Sequence, residues 1–516
     1  MKRIPVIYPF LFAMLPILNV FQTNLNLFSA REIVVPMILT SCLTLILWLL
    51  LSLLIGNRQK AGLIVGVAQL LFISFGPFTI IIYNDIGGRD LSSVLLPIWI
   101  ILFAFCAYIS LRTHRSLQNL TRIMNAMAVF LIMIPGIFIG IHYLKAITVL
   151  SVGRNTENIE LSLEDSEKPV NLPNIYYIIL DGYARDDILE ELYQHDNSKF
   201  LDYFRQKGFH VAGKSRSNYA QTHLSLASSL NLQYLDGLAQ EVGVEYSNRL
   251  PLTKMIKDSK VVRLLNRYGY RIVAFSSGVS FTEITNADIY IKTGHLGKFA
   301  NALISNTLST SRGKGLKVQY DTHRKSILRT FEELEKTTKL KAPIFVFAHI
   351  LAPHPPFVFG EHVEKRAENK PFRFVDASHF TKLRETNRNK YQQHYKSQLI
   401  FISEKIKATI DSILSKSTIP PIIILQSDHG PGSMLDWEDP DNSYIKERMA
   451  ILSAYYLPDS SDILLYDDIT PVNTFRIIFN HYFGTDFELL KDKCYFSTWS
   501  HPYKFIDVTV ETIENR

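Results

Sequence analysis

Pro421-Ile422-Ile423-Ile424-Leu425-Gln426-Ser427-Asp428-His429-Gly430 is the stretch that decides the fold. It is short, apolar on both faces and rich in β-branched residues, and it ends abruptly in polar residues and a glycine. A strand buried on both faces of a mostly parallel sheet has this pattern. Asn174-Ile175-Tyr176-Tyr177-Ile178-Ile179-Leu180, ending at Asp181-Gly182, reads the same way, as do Tyr270 to Phe275 and Pro343 to Ile350. Between these runs the pattern is helical at roughly 186–207, 222–232, 317–338, 387–416 and 471–482. Strands alternating with helices predict an α/β domain with crossover connections. Ligands of such sheets bind beyond the carboxyl ends of the strands. Asp181, His349, Asp428 and His429 all lie at or near such ends.

Toward the N-terminus the expected solvent changes. Before about residue 150 the chain carries apolar runs of bilayer length, at roughly 5–23, 33–56, 61–83, 94–112 and 124–144. The first follows Lys2-Arg3 but has no clear small-residue cleavage site, so it reads as a retained span and not a signal peptide. Lys2, Arg3, Arg58, Lys60, Arg112, Arg115 and Arg122 fall on one side of the spans, against Arg31 and Arg89 on the other. The positive-inside rule then places the N-terminus in the cytoplasm, and an odd number of spans places everything after about residue 145 outside. On this count, a miscounted span moves the soluble domain to the other compartment. The expected division is a transmembrane domain over 1–145, a linker over 146–172 and a catalytic domain over 173–516. The polar segment 360–392 reads as a long surface excursion.

Composition excludes some classes. The net charge of +7 does not argue for nucleic acid, because many early basic residues sit between spans as topology signals. The spans hold few charged residues, unlike an ion pathway. Of three cysteines, Cys42 and Cys106 fall inside spans, and Cys494 alone can form no internal disulfide.

The chemistry gathers at few residues. Asp428 and His429 at a strand end can both turn to one cation, and Gly430 lets the chain bend away. Asp181 is either a third ligand or a cap for the next helix. Thr222 lies where polar Ser217-Asn218-Tyr219-Ala220-Gln221 gives way to a helical stretch. It is either an ordinary N-cap or a nucleophile whose alkoxide the helix dipole and a metal stabilise. His354 sits among prolines in Ala352-Pro353-His354-Pro355-Pro356, on a rigid loop after a strand. It is the favoured histidine for holding a phosphate oxygen or protonating a leaving group, with His349 as the fallback.

Taken in order, a strand with an acid, a Thr at a helix start, a His loop and a strand with Asp-His, the chain resembles the sulfatase-like branch of the alkaline phosphatase superfamily. More narrowly, it resembles the bacterial membrane lipoteichoic acid synthases and phosphoethanolamine transferases. The resemblance implies an α-helical five-span membrane domain followed by an α/β alkaline-phosphatase-like domain with a mostly parallel central sheet. It implies that Asp181, Thr222, Asp428 and His429 bind one divalent cation (zinc, manganese or magnesium), that Thr222 becomes transiently phosphorylated, and that His354 or His349 contacts substrate phosphate. Relatives usually carry Glu where Asp181 stands. A true sulfatase would need a Cys or Ser in a Cys/Ser-x-Pro-x-Arg motif, and Thr222-His223-Leu224-Ser225-Leu226 lacks it.

The expected activity is transfer of a phospholipid head group, of phosphoglycerol or phosphoethanolamine type, from membrane lipid to a cell-envelope glycan or glycolipid. The expected place is a bacterial cytoplasmic membrane, with the catalytic domain periplasmic or extracellular. Two alternatives stand beside it: a hydrolase with water as acceptor (phosphodiesterase, phosphatase or atypical sulfatase), and an inactive binding module.

Overall fold

The computed structural model describes the chain apart from residues 1–3, 26–27, 29, 86–91, 153–171, 295–298, 300–302, 304–313, 362–373, 375, 459–463 and 513–516. Most of the expected linker and the first half of the polar segment 360–392 therefore lie outside the described residues. The chain forms two compact units. One comprises Met1–Lys145 with Leu296–Gln319 and Ala367–Phe372, and the other Ala146–His295, Tyr320–Arg366 and Arg373–Arg516.

The first unit is built from α1 (Tyr8–Gln22), α2 (Arg31–Ile55), α3 (Arg58–Asp85), α4 (Ser92–Arg112) and α5 (Gln118–Val152). Among the described residues, four stretches are long and apolar enough to cross a membrane: Arg31–Ile55, Arg58–Thr79, Val94–Arg112 and Gln118–Leu144. The first helix departs from the expected five similar spans. Its 15 residues reach roughly 22 Å, short of the ~30 Å hydrocarbon core. Proline explains the late start: Ile4–Ile7 is not helical, and the helix opens at Tyr8 with Pro9 in its first turn, where no amide donor is missed. Asn125 of α5 ties this entry down. Its side chain accepts from the amides of Ile7 and Tyr8 at 3.2 and 3.1 Å and donates to the Pro5 carbonyl at 2.9 Å.

Packing also differs along the unit. Phe12, Ile17 and Phe21 of α1 are fully buried, whereas Leu53 and Leu54 of α2 are more than four-fifths exposed and suited to lipid. Val6, Tyr8 and Phe12 pack with Met124, Ala128 and Leu131, and Ile17, Val20 and Phe21 pack with Ile139 and Tyr143. Phe299 joins the second cluster, edge-on to Phe21 and Phe28 with ring centroids 6.3 and 5.3 Å away.

The second unit is an α/β domain around a seven-stranded sheet of order β2-β7-β6-β1-β5-β3-β4. The strands are β1 (Ile175–Leu180), β2 (His210–Val211), β3 (Arg271–Phe275), β4 (Ile289–Ile291), β5 (Ile344–Ile350), β6 (Ile422–Gln426) and β7 (Ser453–Tyr456). Strands β6, β1, β5, β3 and β4 run parallel, while β7 lies antiparallel to β6 and the edge strand β2 antiparallel to β7. A small ribbon pairs β8 (Tyr495–Phe496) with β9 (Ile506–Asp507). The four apolar runs read from the sequence are β1, β3, β5 and β6. Every residue of β1, β5 and β6 is buried, as their lack of polar alternation requires. The stretch read as one helix over 186–207 is two, Asp186–Tyr193 and Ser198–Gln206, parted at Gln194 in the left-handed region.

One face of the central strands (Ile175, Tyr177, Ile179, Phe345, Phe347) shares a core with Leu224, Leu226, Ala227 and Leu230 of the helix Thr222–Asn231. That helix packs in turn on Phe475, Ile478 and Phe479 of the helix Pro471–Phe483. Each such buried side chain contributes roughly 1.5–3 kcal/mol, so the helix that begins at Thr222 is held against the sheet by a continuous apolar face. Register sets the site: Ile179 lies opposite Gln426 on one side, and Leu180 opposite Ile350 on the other. The residues after β1 and β6 therefore emerge side by side.

Candidate active site

Asp181, Asp428 and His429 converge where those two strands end. One ligand atom from each lies within 4.8 Å of the others, and all three residues are buried. His429 Nε2 is 3.2 Å from Asp428 Oδ2, 3.7 Å from Asp181 Oδ1 and 2.9 Å from Thr222 Oγ1. Its Nδ1 lies 2.9 Å from the Gly430 carbonyl. Only an N–H satisfies that carbonyl, so the geometry assigns the proton to Nδ1 and leaves the Nε2 lone pair turned inward.

The two carboxylates fit a cation. Asp181 Oδ1 and Asp428 Oδ2 are fully buried and have no hydrogen-bond partner. Buried carboxylate oxygens carry a large cost unless paired or metal-bound. Two such oxygens beside an inward imidazole nitrogen and a hydroxyl form a mixed oxygen and nitrogen donor set of the kind that holds a divalent ion. Electrostatics favour the ligating forms. Burial, then the charge of Arg448, hold the His429 imidazole below its ordinary range, against the opposing pull of Asp428 and Asp181. At Asp181 burial pushes the carboxyl up, but His354, His349 and His429 together outweigh it and hold it well below the usual carboxylate range.

Backbone geometry delivers these groups. Gly182 has φ +75, the left-handed region that favours glycine, and its amide lies 3.3 Å from Asp428 Oδ1. Ser217 Oγ donates to the Asp428 carbonyl at 2.5 Å, and Ser427 Oγ donates to the His429 carbonyl at 2.6 Å. Gly430 serves a different purpose from the bend read in the sequence. A Cβ there would lie 2.1 Å from the Glu447 carbonyl oxygen, so the site requires close backbone approach at this position.

Thr222 is the first residue of its helix; the N-cap is Gln221, and no side chain caps the end. Its hydroxyl turns to His429 instead, which sets aside the N-cap reading. Gln221 anchors the turn, donating to the Ser497 carbonyl at 3.1 Å and the Thr498 carbonyl at 3.0 Å and accepting from Arg249 at 2.9 Å. Asp181 is likewise no helix cap, since the next helix has Arg185 at that position.

The two candidate histidines occupy different places. His349, on β5, is buried with Nε2 3.1 Å from Asp181 Oδ2, off a hydrogen-bonding line, and Nδ1 3.1 Å from Thr282 Oγ1. His354 is more open. Its amide donates to the Asp181 carbonyl at 2.9 Å, its Nδ1 faces the Pro355 carbonyl, and its Nε2 lies 3.8 Å from Asp376 Oδ2.

Two residues not singled out from the sequence belong to this neighbourhood. Asp376 comes from the segment read as a surface excursion, yet it is buried, with Tyr391 donating to it at 2.7 Å. Burial pushes its carboxyl up, but Arg448 above all, then His354 and Tyr391, hold it below the ordinary value. Arg448 pairs with Asp376 at 2.6 Å. Its signal in the sequence was faint: Lys446-Glu447-Arg448 reads as a solvated charge run, although Ile445 and Met449 flank it.

No protein-family model matches the chain, and no curated protein matches it. Solved structures that resemble it include the C-terminal periplasmic domain of the phosphoethanolamine transferase EptC from Campylobacter jejuni, 12% identical over 61% of this chain and 90% of that one, with a TM-score of 0.37. The corresponding domain of Escherichia coli EptC in complex with zinc is 11% identical over 66% and 94%, with a TM-score of 0.43. The phosphonate monoester hydrolase of Agrobacterium radiobacter is 12% identical over 63% and 80%, with a TM-score of 0.40. At such similarity the roles of residues rest on the site's own geometry.

Proposed function

We propose that the chain is a membrane-anchored, cation-dependent phosphotransferase of the sulfatase-like type, moving a phospholipid head group to a glycan or glycolipid hydroxyl. The observation that carries this reading is the Thr222 hydroxyl at a helix N-terminus, 2.9 Å from His429 Nε2 and beside the unpartnered oxygens of Asp181 and Asp428. Asp181, Thr222, Asp428 and His429 would hold one divalent cation. When bound, such an ion favours the alkoxide of Thr222 and neutralises charge on the non-bridging phosphate oxygens. In the first step Thr222 Oγ bonds to phosphorus, the bond from phosphorus to the lipid oxygen breaks, and the hydroxyl proton passes to the departing lipid alcohol. In the second, the acceptor hydroxyl attacks phosphorus, Thr222 Oγ leaves, and the acceptor's proton returns to it. His354 stands at the more open side to contact the phosphate or relay those protons.

The domain over 173–516 carries this chemistry, 1–145 anchors it and 146–172 joins them. Its placement outside the cytoplasm is supported by α2 to α5 alone. With Arg58 and Lys60 in the first turn of α3, and Arg112 and Arg115 at and just after the end of α4, inside, α5 would end outside. A miscount at α1 would therefore move the N-terminus and not the domain. Residues of α1 share apolar clusters with α5 near Met124 and near Tyr143, positions roughly 28 Å apart at 1.5 Å per residue, which supports counting α1 as the fifth crossing.

The test is mass spectrometry of the Thr222 peptide after incubation of the full chain with mixed-phospholipid liposomes and zinc, manganese or magnesium. A mass adduct on Thr222, absent from Thr222→Ala, is expected, and its size names the transferred group. Intact lipid with no adduct in any metal would overturn the phospholipid donor. Release of the head group to water without a glycan acceptor would make the enzyme a hydrolase.

A further inference from the structure

We propose that Arg448 is a positioning residue that sets the separation between Thr222 and His429; this rests on the phosphotransferase reading of that pair. Arg448 is among the largest fully buried side chains of the protein. Its guanidinium joins three segments that are distant in sequence. Nε donates to the Ala220 carbonyl at 2.8 Å, two residues before Thr222. Nη1 donates to the Gly430 carbonyl at 3.0 Å, one residue after His429, and to Asp376 Oδ2 at 2.6 Å. The plane lies over Trp437, with Cζ 4.8 Å from the ring centroid.

The clamp on Gly430 is double. Its amide donates to the Arg448 carbonyl at 2.7 Å while its own carbonyl accepts from the Arg448 side chain. The absent Cβ lets the two strands of backbone touch. Both chains that carry the reacting pair thus hang on one rigid, planar group. Asp376 neutralises the buried charge, and Tyr391 satisfies its other oxygen. A lysine ammonium has neither the fork nor the plane to hold all three partners at these angles. Displacing one half of a reacting pair by about an ångström costs on the order of 100-fold in rate.

The experiment compares the full chain with Arg448→Lys and Asp376→Asn, using Cys494→Ala as a control. Cys494 is buried in the cluster that includes Trp437 and Ala220, so its truncation loosens the same packing while removing none of the clamp's hydrogen bonds. For Arg448→Lys, kcat for transfer through Thr222 is expected to fall roughly 100-fold with KM within about twofold. Asp376→Asn should show the same split at roughly 10-fold. Zinc titration of the metal-stripped proteins should show affinity weakened about 10-fold or more in Arg448→Lys, as for loss of an outer contact to a ligand, and unchanged in Cys494→Ala. Equal losses in all three variants, tracking thermal stability, would overturn the proposal. If the unaltered protein modifies Thr222 with no ester, the phosphotransferase reading fails separately. The zinc titration then decides alone, and wild-type affinity in Arg448→Lys overturns the positioning role. Should Arg448→Lys fail to fold, Asp376→Asn carries both measurements.

Discussion

At Gly430 the reason for glycine is contact and not conformation, and the consequence is measurable. Gly430→Ala sets a methyl group 2.1 Å from the Glu447 carbonyl, with the Ala450 and Arg448 carbonyls at 3.0 and 3.2 Å. Backbone cannot step aside as a side chain can, so the expected loss is at least about 1–3 kcal/mol. Denaturant unfolding of the full chain checks it, and an unchanged midpoint would show that the loop relaxes freely. Cys494 offers a second residue-scale test. Burial pushes its thiol up to about 12, so at pH 8 the thiolate is roughly one part in 10,000. In Cys42→Ser/Cys106→Ser protein a maleimide should leave native Cys494 unmodified and label it after denaturation; rapid native labelling would contradict its burial. Asp181, Asp428 and His429 were legible from the sequence because each follows an apolar strand. Asp376 was not, because nothing in a polar loop marks the one carboxylate that turns inward. Arg448 was hidden by its charged neighbours, since charge predicts exposure unless the partner is known.

Elements tell the same story one level up. Strands β1, β3, β5 and β6 were readable because a strand covered on both faces must be apolar throughout. The antiparallel β7 was not, and the two-residue β2 is too short to show a period. The short helix Ile445–Met449 carries Glu447, which accepts from Tyr193 at 2.6 Å, from Ser433 through both hydroxyl and amide, and from the Met434 amide at 2.8 Å. Burial nevertheless wins over these donors and raises its carboxyl above the ordinary value. A raised folded pKa contributes stability that is fully present below the unfolded value and is lost as pH rises through the folded one. Wild type should therefore lose stability relative to Glu447→Gln as pH climbs from about 4 toward neutrality. Paired guanidinium titrations across that range, read by tryptophan fluorescence, measure the gap. A wild-type stability, taken relative to Glu447→Gln, that stays flat or rises with pH would show that the four donors outweigh burial.

At the scale of the molecule, hydropathy marked where the bundle begins and ends but not that its first helix differs from the rest. Apolar residues needed to face lipid and those needed to fill the centre of a bundle look alike in sequence; only packing separates buried Phe12 and Ile17 from exposed Leu53 and Leu54. The distinction matters for orientation. If α2 to α5 cross and the basic helix ends at Arg58–Lys60 and Arg112–Arg115 lie inside, a reporter enzyme active only outside the cytoplasm should work when fused after Arg516. It should be silent when inserted between α4 and α5. A fluorescent protein that matures only in the cytoplasm, fused ahead of Met1, then isolates α1, since it glows only if that helix crosses. Silence at Arg516 would put the α/β domain inside and remove lipid head groups of the outer leaflet as its donors. Activity at Arg516 with a dark N-terminus would leave the domain where it is and reduce α1 to a buried wedge. In that case only four helices would carry the chain across.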